Sequence, residues 1–137
     1  MAQQVIRLTH FSDVLCVWAY IAQIRVDELR ANFPDELAVD YHFFQVFADV
    51  PGKMASQWAD RGGLDAYAAH VQDVAAGFGH ISISPEAWLI NTPVSSMPAH
   101  LQLCALRAAA REQPDSVSPA DIEALLKALR QAFFASH

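Results

Sequence analysis

The residues best equipped to act on a substrate fall in one short stretch, Phe11-Ser12-Asp13-Val14-Leu15-Cys16-Val17-Trp18-Ala19-Tyr20, with His10 immediately before it. A thiol, a carboxylate, a hydroxyl and an indole stand close together there. If the stretch joins a strand to a helix, Cys16 lies at the helix start, where unpaired amides and the positive end of the dipole favour a thiolate over a thiol. That makes Cys16 a candidate nucleophile. The same residue also suits a small buried hydrophobe, since free cysteine is among the most buried residue types. Asp13 has two uses as well: hydrogen bonding to the backbone of a turn, the commoner one before a helix, or proton transfer. His10 can serve as a base or ion-pair partner for Cys16, or pack as an ordinary strand residue. Trp18 can line a substrate surface or pack on a neighbouring helix.

The elements that must position these groups follow from periodicity. Val5 to Phe11 is rich in β-formers, with Ile6 and Leu8 on one face and Arg7 and Thr9 on the other, and reads as a strand. From Trp18 to Phe33, Ile21, Ile24, Leu29 and Phe33 interleave with charged residues, giving a helix that must stop near Pro34. Leu37 to Phe47 alternates and then turns mostly apolar, which predicts a second strand. Strand, helix, strand implies a βαβ unit with parallel pairing and a right-handed crossover. In open α/β folds the C-terminal end of such a strand meets the ligand crevice.

The remainder reads as helical. After a Pro51-Gly52 turn, a helical stretch begins with Met54 and Trp58 and breaks at Gly62-Gly63; Leu64, Tyr67, Ala68, Val71, Val74 and Ala75 then recur at helical spacing up to Gly77 and Gly79. Ser84-Pro85-Glu86 resembles a short helix start, and Ser96 a cap for an alanine-rich helix running to about Glu112. Ser118-Pro119-Ala120-Asp121 is the clearest cap, followed by an apolar stripe of Ile122, Leu125, Leu126, Leu129 and Phe133. Cys104, with Leu101, Ala105 and Ala108 at helical spacing, reads as a core residue.

Composition limits the function. With 137 residues and 53% hydrophobic content, the chain fits one compact unit. A net charge of −6 with nine Lys and Arg argues against nucleic acid or an anionic membrane as partner, so partners should be neutral or small. The longest apolar run, Val14 to Ala22, falls far short of the ~20 residues of a membrane span. No secretory signal is legible at Met1-Ala2-Gln3-Gln4, so a cytoplasmic address is expected. Two cysteines do not make a disulfide framework, and the six histidines, at 10, 42, 70, 80, 100 and 137, show no metal-site spacing, so no metal is expected. Gly77-x-Gly79 lacks the rest of a phosphate loop.

In register, Phe11, Ser12, Asp13, Cys16, Trp18 and Tyr20 resemble the active-site region of the DsbA-like branch of the thioredoxin superfamily, and Ser96-Met97-Pro98-Ala99-His100-Leu101 and Ala132-Phe133-Phe134 resemble segments of that family's helical insertion. Relatives include cytoplasmic thiol oxidoreductases, 2-hydroxychromene-2-carboxylate isomerases and kappa-class glutathione transferases. The resemblance implies an α/β, thioredoxin-like fold, with residues 1–50 as the βαβ part and 51–137 as an all-helical insertion, the C-terminal β-hairpin and helix being absent from this chain. It implies Cys16 as catalytic nucleophile, with Ser12, Asp13, Val17, Trp18, Ala19 and His10 binding a small-molecule or thiol substrate or shaping the site. Two departures qualify it. Ala19 stands where the family has a second cysteine and Val17 where it has proline, which excludes a dithiol cycle at this motif and favours a monothiol, glutathione-linked reading with no covalently bound cofactor. The missing hairpin leaves an open sheet edge, expected to be covered in a homodimer or by another chain. The alternative is a catalytically degenerate or truncated thioredoxin-like module serving in dimerisation or small-molecule binding.

Overall fold

The computed structural model describes residues 4–136. Met1, Ala2, Gln3 and His137 lie outside them, and with them the start of the expected leader-free N-terminus and one of the six histidines. The elements run β1 (Ile6–Ser12), α1 (Val17–Asn32), β2 (Leu37–Phe43), α2 (Val50–Gln57), α3 (Gly63–Ala76), α4 (Met97–Glu112) and α5 (Pro119–Phe134), with a single 3-10 turn at Ala59–Arg61 between α2 and α3. The first three form the βαβ unit anticipated from their patterning, and the chain beyond is helical.

β1 and β2 pair in parallel, from Ile6 opposite Leu37 to Ser12 opposite Phe43. Side chains alternate across the sheet, so Leu8, His10, Val39 and Tyr41 turn inward while Arg7, Thr9, Phe11, Ala38 and Asp40 turn outward. The inward face joins one apolar core. Val14, Ile21, Val50, Val71, Trp88, Leu103, Leu126 and Phe134 are almost completely buried in it. Trp88 lies at its centre, in ring contact with Phe47, Tyr67 and Phe133, and it adopts φ 74°, a region costly for a bulky side chain. Surrounding contacts must hold it there.

Local chemistry explains the helix ends. Ser118 and Asp121 form a reciprocal capping box, each side chain accepting the other's backbone amide. Asp49 caps α2 by accepting the Gly52 amide at 3.0 Å, which places Pro51 and Gly52 inside the first helical turn rather than in a turn preceding it. Gly62 and Gly63, at φ 109° and 66°, allow the reversal into α3 that a side chain would strain.

Several other expectations are corrected. β2 ends at Phe43, four residues early, because Phe44 and Gln45 leave the sheet to bring Phe47 into the core. Ser84-Pro85-Glu86 is a turn and starts no helix. Ser96 precedes α4 but its hydroxyl makes no cap. Cys104 is exposed, on the face with Leu101 and Ala105, since the core side of α4 is carried by His100 and Leu103. Of the apolar residues on α1, Ile21 is buried while Ile24, Leu29 and Phe33 stay exposed; the inner face is Val17, Ala19, Ile21, Gln23 and Val26. On α5, Phe134 is the fully buried ring and Phe133 is half-buried.

Leu126→Ala should lower stability by about 3 kcal/mol, a loss typical of a fully buried leucine, and Ser118→Ala by about 1 kcal/mol. Both are read as shifts in the urea midpoint at unchanged slope.

Candidate functional site at the end of β1

β1 ends at Ser12 and α1 starts at Val17, so Asp13 to Cys16 form a four-residue corner. Cys16 occupies the N-cap of α1 with extended backbone (φ −80°, ψ 118°), and no side chain caps this helix. The amides of the first helical turn therefore have no intrahelical acceptor, and no acidic side chain stands in that turn to offset its positive end. The Cys16 amide donates to the Asp13 carbonyl at 3.1 Å, and its own carbonyl accepts from Tyr20, which fixes the corner. The thiol is half-buried.

An open groove of about 340 Å³ brings together His10, Ser12, Asp13, Cys16, Trp18 and Ala19, joined by Phe11, Phe44 and Val46. Val17 does not line it; its side chain is buried in the core. Trp18 is 55% exposed, with an edge-to-face contact to Phe78 at 6.0 Å between ring centres. A second groove, of about 360 Å³ around Arg7, Arg107 and Arg111, is lined by no cysteine, and Arg107 is already engaged by Asp40 through two hydrogen bonds.

Asp13 is the most constrained of these groups. Its carboxylate, 1% exposed, accepts the Leu15 amide at 2.9 Å on one oxygen, and the Phe47 amide at 3.0 Å and the Ser96 hydroxyl at 2.8 Å on the other. The His100 ring stands alongside: its Nε2 accepts the Val14 amide at 3.0 Å and is 3.5 Å from Asp13 Oδ1. Burial alone would raise the Asp13 pKa. The hydrogen bonds from the Leu15 and Phe47 amides and the Ser96 hydroxyl hold the carboxyl below its usual range. With every nearby donor engaged, Asp13 acts as a structural anion, and it binds the backbone as expected of an aspartate before a helix.

Beneath the groove lies a buried polar layer that periodicity alone did not reveal. Arg130, 1% exposed, donates to the Ser12 hydroxyl at 2.8 Å and to the Gln23 side-chain carbonyl at 3.1 Å. Burial lowers its pKa to about 10, with the Asp13 carboxylate acting in the opposite direction. The Tyr41 hydroxyl donates to Glu123 at 2.6 Å, and burial pushes that phenol up to about 12. Glu123 in turn pairs with Arg30 at 2.8 Å. His10 meets Tyr41 edge-to-face, and burial followed by the Arg130 charge lowers its pKa, so the ring is neutral near pH 7. One signal could have exposed Arg130: it falls at four-residue intervals with Ile122, Leu126 and Phe134, on the buried stripe of α5. His100 was visible only through the resemblance at residues 96–101.

Among the described residues no group of three or more His, Cys, Asp or Glu is placed to hold a metal ion, and no helix is long and apolar enough to cross a membrane. No family model matches the sequence, and no curated protein matches it. A crystal structure does: that of a "putative protein disulfide isomerase" from Nitrosomonas europaea, 15% identical, superposes with a TM-score of 0.60 over 96% of this chain. The fold is thioredoxin-like. At that identity the likeness speaks for the fold alone, and this chain spans 56% of the other protein's length.

Asp13→Ala leaves two buried amides and a hydroxyl without an acceptor, and should cost about 3 kcal/mol at pH 7. Because the folded carboxyl titrates below its unfolded value, its contribution is complete above about pH 4 and disappears as pH falls through the folded value. The stability gap between wild type and Asp13→Asn should therefore narrow on acidification below pH 4, as measured by urea titration. A gap independent of pH would overturn this assignment.

Proposed function

We propose that this chain is a thiol-exchange protein of oxidoreductase type, working as a monothiol with Cys16 as nucleophile. One observation carries the reading: Cys16 is the N-cap of α1 and lines the groove at the end of β1. Helix-terminal amides stabilise negative charge on a sulfur placed there.

In the proposed reaction the Cys16 thiolate attacks one sulfur of a disulfide, forming a mixed disulfide and releasing the other sulfur as thiolate. Ala19 offers no second thiol within the motif, so an external thiolate such as glutathione attacks the mixed disulfide, leaves as part of a new disulfide and restores the Cys16 thiolate. Sulfur electrons balance over the two steps. Trp18, Phe11 and Phe44, exposed along the groove, provide apolar contact for the substrate; Ser12 and Asp13 shape the corner, and the small Ala19 leaves room beside the thiol. A reducing, cytoplasmic setting suits this cycle.

A second reading is favoured by the outer surface. Ile6, Phe11 and Phe44 are each more than 60% exposed, and Ile24, Leu29 and Phe33 present a further apolar face on α1. These exposed apolar faces support an association module that packs against another chain or a second copy.

With Cys104→Ser removing the exposed thiol, iodoacetamide should modify Cys16 at pH 7 about tenfold faster in the folded protein than in urea, reflecting a larger thiolate fraction. Oxidised glutathione should add one glutathionyl group by mass, lost in Cys16→Ser. Folded-state reaction no faster than in urea overturns the nucleophile reading. A native mass of a dimer together with an inert Cys16 favours the association module.

A further inference from the structure

Arg130 is a buried cation that the exchange reaction leaves unexplained. Its guanidinium is almost completely enclosed, yet no carboxylate of the described residues lies within ion-pair distance. Burying an isolated charge is strongly unfavourable unless something nearby uses it. Its hydrogen bonds go to two neutral acceptors, Ser12 Oγ and Gln23 Oε1, and its Nε has no partner. Ser12 lines the groove that holds Cys16 and His10. The only complete negative charge buried at the corner, Asp13, is saturated by its own donors.

We infer that Arg130 is a positioning residue that sets the charge state of the groove from beneath, favouring an anionic sulfur at Cys16 and an uncharged imidazole at His10. The inference rests on the reading of Cys16 as nucleophile. In a low-dielectric interior a positive charge acts over a longer range than in water, so contact with the sulfur is not required. The groups facing Arg130 are consistent with that role. From β1 they are His10 and Ser12; from β2, Tyr41, whose phenol stays protonated because burial raises its pKa; from α1, Gln23 and, at the N-cap, Cys16; from the corner, Asp13. On its own helix Glu123 is engaged by Tyr41 and Arg30, and Lys127 by Asp27 and Glu123. His10 lines the same groove as Cys16, and its buried Nδ1 has no hydrogen-bond acceptor among the described residues that would hold a proton there against the Arg130 charge.

The test compares the Cys104→Ser protein with Arg130→Met and Arg130→Lys in the same background. Removing the charge should slow alkylation of Cys16 at pH 7 about tenfold and move the His10 titration, followed by its ring proton resonance, upward by about half a pH unit or more. Lysine should restore most of both, although it cannot reproduce both hydrogen bonds. If lysine behaves like methionine, or if methionine changes neither readout, the inference fails. The His10 arm does not depend on the sulfur, so an inert Cys16 with a shifted His10 would count against the exchange reading alone. Should Arg130→Met not fold, the guanidinium resonance of Arg130 in the Cys104→Ser protein decides. It should show a pH-dependent step that is absent in Cys16→Ser; a signal that is the same in both proteins overturns the inference.

Discussion

The buried carboxylate of Asp13 is the constraint from which the rest of the site follows. It gathers donors from three separate parts of the chain: Leu15 in its own corner, Phe47 beyond β2 and Ser96 at the start of α4. Each contact is short and buried, and each donor would be left unsatisfied without it. α1 has no side-chain cap, so the position of Cys16 owes nothing to a local capping residue. It is set by an aspartate turn three residues earlier, clamped from outside by β2 and α4. The βαβ unit and the helical remainder are thereby joined at the point where the thiol sits.

Charge is arranged in layers around that corner. The negative group, Asp13, is compensated by dipoles and hydroxyl donors, whereas the positive group beneath, Arg130, is held by a hydroxyl and an amide carbonyl. The nearest ion pairs lie further out, where Glu123 takes Arg30 and Lys127, and Asp27 takes Lys127. A protein with a net charge of −6 thus keeps in its interior a cation that no carboxylate of the described residues pairs with. The field at the groove need not follow the overall charge, because exposed charges are screened and buried ones much less so.

How much of this was legible in the sequence depended on whether the governing interaction was local. β1, α1 and β2 followed from short periodicities, and the Ser118 box from a four-residue signature, since the physics of each is contained in neighbouring residues. The fate of Ser96 was not legible. Its position before Met97-Pro98 is that of a cap, yet its hydroxyl is drawn to a carboxylate 83 residues away. α4 misled for another reason: Leu101, Cys104 and Ala105 form as plausible an apolar face as Leu103, Leu106 and Ala110, and only packing against α5 selects the second. Ile24, Leu29 and Phe33 on α1 show the same ambiguity, an apolar helix of which one side alone is covered by the described residues. Of the candidate site, the run from His10 to Ala19 was legible as a cluster, while the inward turn of Val17, the approach of Phe44 and Val46, Arg130 and the anchoring role of His100 depended on tertiary contacts.

The hydrogen bond from the Val14 amide to His100 spans 86 residues. A ribosome adding about 5–20 residues per second needs roughly 4–17 s to extend the chain from the first of these residues to the second. Throughout that interval the corner lacks the Ser96 and His100 contacts, and the Cys16 sulfur is exposed on a nascent segment without its groove. Any oxidant or disulfide present during synthesis would therefore meet this thiol before the corner that half-buries it has formed.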